Sequence, residues 1–206
     1  MQELTAYKIS LKPAILAEAT RCFREYGIRA VKMDDIAKNL GVSKRTLYEI
    51  YSNKEDVLVD VVAGLLKERD AYLKKYAAEC DNVIDVLLEV LRLQIAFSAS
   101  THANFFKDLH RYPAAEQMLK EFNVGQSKAS DEFFQKGVKQ GYFRSDINYA
   151  VFQKISSGSL RMIRTDVEFS DLSYQQLFEN YLCVIIRGIC TAKGLERFDA
   201  FVSQCE

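Results

Sequence analysis

The chain has 206 residues, 49% of them hydrophobic and 12% aromatic, with only two prolines and nine glycines. This composition excludes wholesale disorder and a turn-rich β architecture, and it predicts an all-α protein of one large or two small domains. Net charge is zero, which excludes a generic binder of nucleic acid that relies on bulk charge.

The charge is nevertheless uneven. Residues 1–54 hold ten Lys or Arg and six Asp or Glu, a net of +4, which leaves 18 against 22, or −4, for the remainder. A basic front and an acidic back fit a small DNA-contacting module joined to a body with another task. The five cysteines (Cys22, Cys80, Cys183, Cys190, Cys205) are scattered, with no CxxC and no Cys/His cluster. They read as reduced thiols, not as a disulfide frame or a metal site. No signal-peptide core opens the sequence, and no apolar run approaches the ~18 residues a membrane span needs, so a cytoplasmic protein with no membrane partner is expected.

After a short lead-in over 1–9, a first helix spans about 10–26, with Pro13 tolerated in its first turn. Ile15, Ala19, Cys22 or Phe23, and Tyr26 make its buried stripe, and Gly27 stops it. Residues 33–51, MDDIAKNLGVSKRTLYEIY, read as two short helices around a tight turn. Ile36, Ala37 and Leu40 share one face of the first. Gly41 ends it, Val42 plugs the corner and Ser43 is placed as N-cap of the second. There Leu47, Ile50 and Tyr51 point one way, and Arg45, Tyr48 and Glu49 the other. This is helix-turn-helix grammar, whose physical use is to lay the second helix in the major groove.

Ser52-Asn53-Lys54-Glu55 is an S-x-x-E capping box opening a helix over 54–80, long enough to belong to two domains. The predicted division is a DNA-binding domain over 1–53 and an effector-binding and dimerisation domain over 54–206. Asp81-Asn82 breaks the long helix and caps the next, about 83–100. That helix is apolar nearly all round except for a line of Asp85, Glu89 and Arg92, read as a solvent-facing strip with a polar cavity wall as the alternative. A short helix through Phe105, Phe106 and Leu109 comes next, ended before Pro113. Further helices are predicted over 115–139, where Gly125 and Ser127 can interrupt, over 149–166 behind the cap candidates Asp146 and Asn148, and over 173–193. Gly194 then precedes a short amphipathic tail.

Residues 10–62 resemble the N-terminal domain of the tetracycline-repressor (TetR) family of bacterial transcriptional regulators. The resemblance is carried by Phe23, Tyr26-Gly27, Asp35-Ile36-Ala37, Leu40-Gly41-Val42-Ser43, Thr46-Leu47-Tyr48, Tyr51, Lys54-Glu55 and Val57-Leu58. Gly141-Tyr142-Phe143-Arg144 with Asp146-Ile147-Asn148 is similar to the loop before the family's dimerising helices. One departure stands out: the family has Thr or Ser capping the second helix, whereas this chain has Lys32, so Asp34 and Asp35 must satisfy that helix start.

The resemblance implies a homodimer on a palindromic operator, most readily a repressor released by a small molecule. Base contacts fall to Lys44, Arg45 and Glu49, since Arg or Lys donates to guanine and Glu accepts from cytosine. Lys32, Ser43, Thr46, Tyr48 and Lys54 complete the DNA-binding set, with Thr46, Tyr48 and Lys54 as phosphate contacts. Effector-binding candidates are Arg92, Phe97, His102, Asn104, Phe105, Phe106, His110, Phe133 and Phe134, whose aromatic content suggests an apolar or aromatic effector. The dimer face is assigned to Phe152, Ile155, Ser156, Ser159 and Ile163, with Phe178, Tyr181, Ile185 and Ile189. No nucleophile–base pair, phosphate-cradling loop, metal motif or cofactor motif appears, so no enzyme and no cofactor are expected. The alternative is a structural or adaptor DNA-binding protein without an effector.

Overall fold

The computed structural model describes residues 6–125, 127–169 and 172–205. In chain order its helices are α1 (Ala6–Tyr26), α2 (Met33–Asn39), α3 (Lys44–Ile50), α4 (Lys54–Glu79), α5 (Val83–Ala99), α6 (Ala103–Leu109), α7 (Pro113–Gly125), α8 (Ser127–Lys139), α9 (Tyr149–Thr165), α10 (Tyr174–Leu177), α11 (Cys183–Ile189) and α12 (Ala192–Cys205). A π-helical turn, Phe178–Leu182, joins α10 to α11. Among the described residues the one departure from helix and loop is an isolated antiparallel bridge between Phe143 and Cys190. The fold is all-α.

The chain divides into two compact units, residues 1–69 with 99–121 and residues 70–98 with 122–206. Packing therefore does not divide the chain at 53/54. The helix α4 contributes to both units, and residues 99–121 belong with the N-terminal one.

In the N-terminal unit the core comes from every helix of the predicted module. Ile15, Ala19, Cys22 and Phe23 of α1 are buried, with Ile36 and Ala37 of α2, Leu47 of α3, and Val57 and Leu58 of α4. Each aliphatic side chain of this kind withdrawn from water contributes about 1.5–3 kcal/mol. Both Cys22 and Phe23 face inward, whereas Tyr26 is half exposed at the helix end. Residues 99–121 add Thr101, Phe105, Asp108, Leu109 and Ala115, all buried.

The C-terminal unit centres on Val83, Ile84 and Leu91 of α5, Phe143, Phe178, Ile186 and Ile189, and Phe198 and Phe201 of α12. Phe133, Phe134, Phe143, Tyr149 and Phe152 form one aromatic cluster, with Phe134 stacked on Tyr149 at 4.7 Å between ring centres.

Several boundaries differ from the sequence expectation for identifiable reasons. The helix expected over 115–139 is two, α7 and α8, and the junction at 126 lies outside the described residues. The helix expected over 173–193 ends at Ile189, because Cys190 turns extended to pair with Phe143 and the Arg144 N–H donates to the Ile189 carbonyl at 2.9 Å. Gly194 does not precede the tail helix. It sits inside α12, where a Cβ would lie 2.3 Å from the Tyr142 carbonyl oxygen, so a close helix–loop approach requires glycine there. The line of Asp85, Glu89 and Arg92 is not a solvated strip. Glu89 is only 6% exposed; it accepts from the Tyr72 hydroxyl at 2.9 Å and from Arg92 at 3.0 Å, while Asp85 accepts from Arg197 of α12 at 2.7 Å. These polar groups tie helices together within the unit.

Candidate nucleic-acid interface

The turn between α2 and α3 is set by Gly41, whose φ of +66° is in the left-handed region, with nothing within 4 Å of where a Cβ would stand. Ser43 caps α3 as expected: its Oγ accepts the Thr46 N–H at 3.0 Å and lies 2.8 Å from Thr46 Oγ1. Leu47 is fully buried beneath α3. Tyr51 closes its end, donating its hydroxyl to Asp60 of α4 at 2.8 Å; burial and that carboxylate push the phenol pKa up. The helix is thus pinned from below at both ends, leaving its other side outward.

That side carries Lys44, Arg45, Thr46, Tyr48 and Glu49. Arg45 is 89% exposed in its side chain and its Nε donates to Glu49 Oε1 at 3.0 Å, one turn on. Lys44 pairs with Asp34 of α2, which pushes the lysine pKa up. Tyr48 is half exposed. Glu49 also accepts from Lys8 of α1 at 2.8 Å; Lys8 first and Arg45 second hold its carboxyl below the usual carboxylate range. Lys8 falls in the stretch 1–9 that reads as lead-in, and no local pattern marks it. The helix in fact begins at Ala6, and the extra turn of α1 delivers a cation to the recognition helix.

Lys32 precedes α2 and is exposed. Its ammonium takes no part in capping; instead the Asp35 carboxylate accepts the Lys32 N–H at 2.8 Å. The expected S-x-x-E box at Ser52 is displaced by one residue. Asn53 Oδ1 accepts the Asp56 N–H at 3.0 Å and Asn53 Nδ2 donates back to Asp56 at 3.1 Å. Glu55, released from capping, accepts the Ala114 N–H at 2.7 Å. Asn82 and Asp85 repeat the same pattern at the start of α5.

Lys54 is not aimed outward. Its Nζ donates to the Ile28 and Val31 carbonyls, each at 2.9 Å, and lies 3.5 Å from that of Arg29. It stands 5.8 Å from the centre of the Tyr112 ring as well.

The effector-binding candidates do not gather in one unit. His102, Asn104, Phe105, Phe106 and His110 belong to the N-terminal unit, and Arg92, Phe97, Phe133 and Phe134 to the C-terminal one. His102 caps α6, its Nδ1 accepting the Asn104 N–H at 3.1 Å, and His110 lies 3.1 Å from Glu116. Phe105 is core. Phe133 and Phe134 pack edge to face at 5.5 Å within the aromatic cluster.

Of the residues assigned to the dimer face, Phe178 and Ile189 are buried in the C-terminal core, and Phe152 packs on Phe134 and Tyr149. Ser156, Ser159, Ile163, Tyr181 and Ile185 are half-buried, and Ile155 is 62% exposed. Exposed Val151 and Met162 share the Ile155 stripe of α9, and Val184 stands out from α11 at 61%. Gly158 and Gly188 fall on these same two stripes, with open space where a Cβ would be. Among the described residues no group of three or more His, Cys, Asp or Glu could hold a metal ion, and no helix is long and apolar enough to cross a membrane.

Residues 15–61 match the sequence model of the bacterial regulatory proteins of the tetR family. Over 195 residues the chain is 26% identical to the HTH-type transcriptional repressor KstR2 of Mycobacterium tuberculosis, covering 90% of this chain and 96% of that one. Among solved structures, a putative transcriptional regulator from Saccharomonospora viridis in complex with choline superposes with a TM-score of 0.66 at 18% identity, over 89% of this chain and 99% of the other. FadR from Bacillus subtilis in complex with stearoyl-CoA gives 0.63 at 19%, over 85% and 97%. With the geometry of residues 33–51, the family match identifies residues 15–61 as a helix-turn-helix domain of the tetR type.

Proposed function

We propose that this regulator is a homodimeric repressor that binds a palindromic operator and leaves it when a small apolar or aromatic molecule binds. The observation that carries the reading is α3: a helix capped by Ser43 and anchored by Leu47, with Lys44, Arg45, Tyr48 and Glu49 turned outward. On DNA, Lys44, Arg45 and Glu49 read bases, while Ser43, Thr46, Tyr48 and Lys32 meet phosphates and fix register. Residues 1–53 supply this reading head, and the later part of the chain supplies effector binding and dimerisation.

A net of +4 over 1–54 gives one copy weak attraction to DNA, so affinity depends on two copies held at fixed spacing. The exposed stripes of α9 (Val151, Ile155, Met162) and α11 (Val184), each interrupted by a glycine that permits close helix approach, support pairing through a four-helix interface. The aromatic cluster of the C-terminal unit supports an apolar effector. The similar proteins were solved with ligands as unlike as stearoyl-CoA and choline, so the fold does not choose between effector chemistries. An effector acts by binding the DNA-incompetent state more tightly, and DNA then weakens the effector by the same factor.

Selection of bound duplexes from a randomised pool tests the reading. A consensus with two inverted half-sites about one helical turn apart supports it. Enrichment of no consensus favours the structural or adaptor role.

A further inference from the structure

The peptide group joining Ile28 to Arg29 is gripped on both sides. Its carbonyl accepts from the Lys54 ammonium at 2.9 Å, and its N–H donates to Asp108 Oδ2 at 2.7 Å. The first partner comes from the start of α4 and the second from α6, 79 residues beyond Arg29. Asp108 is itself buried. A carboxylate left there without a donor would be costly, so the Arg29 N–H is an obligatory partner and the geometry is fixed from both directions.

The surroundings repeat the arrangement. The His102 N–H donates to the Arg24 carbonyl at 2.7 Å, and the Arg24 guanidinium donates to Thr101 at 3.1 Å and to Ser100 at 2.6 Å. The Ala114 N–H meets Glu55, and Lys54 continues to the Val31 carbonyl. The 27–32 loop, which carries Arg29 and ends in Lys32 and the start of α2, is therefore held by residues that lie beyond α5 in the chain as well as by the start of α4.

We propose that Asp108 and Lys54 are positioning residues for DNA binding: together they clamp the Ile28–Arg29 peptide and so set where Arg29, Lys32 and the helix-turn-helix meet the phosphates. This rests on the DNA-binding reading above and revises the phosphate role that the family resemblance implied for Lys54. Lys54 acts through the loop and does not contact a phosphate. It also makes residues 99–121 part of the DNA-binding machinery, although they lie outside the helix-turn-helix sequence.

The test uses the full chain and its selected operator, with D108A, D108N, K54A and the double variant D108A/K54A. Amide hydrogen exchange at Arg29 is measured without DNA, so it judges the clamp even if the chain proves to bind none. D108A is expected to speed that exchange at least tenfold, and D108N, which keeps an acceptor oxygen, to restore most of the protection. On DNA, D108A and K54A should each weaken operator binding by roughly tenfold, and the double variant should be little worse than either single one, because both remove the same clamp. The dependence of log affinity on log salt should keep its slope in K54A. A slope reduced by about 1.8, about 0.9 for each protomer of the dimer, would make Lys54 a direct phosphate contact and overturn the assignment. So would multiplicative losses in the double variant, or Arg29 exchange unchanged in D108A. Failure of the unaltered chain to bind any DNA would instead overturn the regulator reading while leaving the exchange result to judge the clamp.

Discussion

Lys8 of α1 and Glu49 of α3 meet at 2.8 Å, so the outward face of the recognition helix contains an acid already held by a cation from another helix. Glu49 holds Arg45 too. Together with the pairing of Lys44 to Asp34, each of the two α3 cations that face outward begins with an acidic partner. In the proposed complex DNA competes with these carboxylates for the cations, which disfavours indiscriminate phosphate binding.

Glu49→Gln therefore strengthens binding to non-operator DNA, by roughly three- to tenfold at low salt, because Lys8 and Arg45 lose a competitor. Operator binding gains less, so discrimination falls. Fluorescence titration on operator and scrambled duplexes measures both. An equal gain on the two, or a loss on the scrambled one, would count against the competing role of Glu49.

Arg45→Ala lowers operator affinity unevenly across base substitutions, by about 1–3 kcal/mol concentrated at one position of each half-site. A scan of single-base operator variants reads this directly. A uniform loss would move Arg45 to the phosphate class.

Ile155→Asp or Val184→Asp puts a carboxylate on an exposed apolar stripe without disturbing the protomer core. Sedimentation at micromolar concentration should show a dimer for the unaltered chain and a monomer for either variant, with operator binding lost alongside. A monomeric unaltered chain would contradict the dimer outright.

Glu18 ties α1 to α2, accepting from Arg21 at 2.6 Å and from Asn39 at 2.7 Å. The Arg21 hydrogen bonds, supported by Asn39 and Cys22 against the opposing effect of burial, lower its pKa from the ordinary 4.5 to about 2. A carboxyl whose pKa is lower in the folded state contributes stability above the unfolded value and loses it as pH falls through the folded one. Thermal midpoints should thus be insensitive to this group above pH ~5 and decline between about 4.5 and 2, and Glu18→Gln should flatten that decline. The group is partly hydrated, so the effect is modest.

Cys22 and Cys190 are buried, and burial pushes each thiol up to about 11. Cys183 is buried too, whereas Cys80 is partly exposed. Iodoacetamide at pH ~8 should modify Cys80 well before these three in the native chain, as read by peptide mass mapping.

The helix-turn-helix is legible in the sequence because its signals are local: Gly41 supplies a left-handed turn, Ser43 caps α3, and Leu47 marks the inner face. Cap position is less so. Ser52 with Glu55 and Asn53 with Asp56 are overlapping four-residue patterns, and only the Glu55–Ala114 bond, 59 residues apart, removes Glu55 from the first. Lys54 reads as a phosphate ligand because its acceptors lie 23 to 26 residues away, beyond any local pattern. The same holds for α6, whose Asp108 accepts the Arg29 N–H from 79 residues away. Gly194 reads as preceding the tail because nothing in its neighbourhood reveals that the Tyr142 carbonyl occupies the space of its missing side chain.

The most direct test of the account is the affinity of the full chain for a selected palindromic duplex and for its scrambled counterpart, measured across salt. The account predicts a preference for the palindrome of roughly a thousandfold or more near physiological salt, with one dimer per site. Equal affinity for the two duplexes, falling steeply and in parallel with salt, would contradict it.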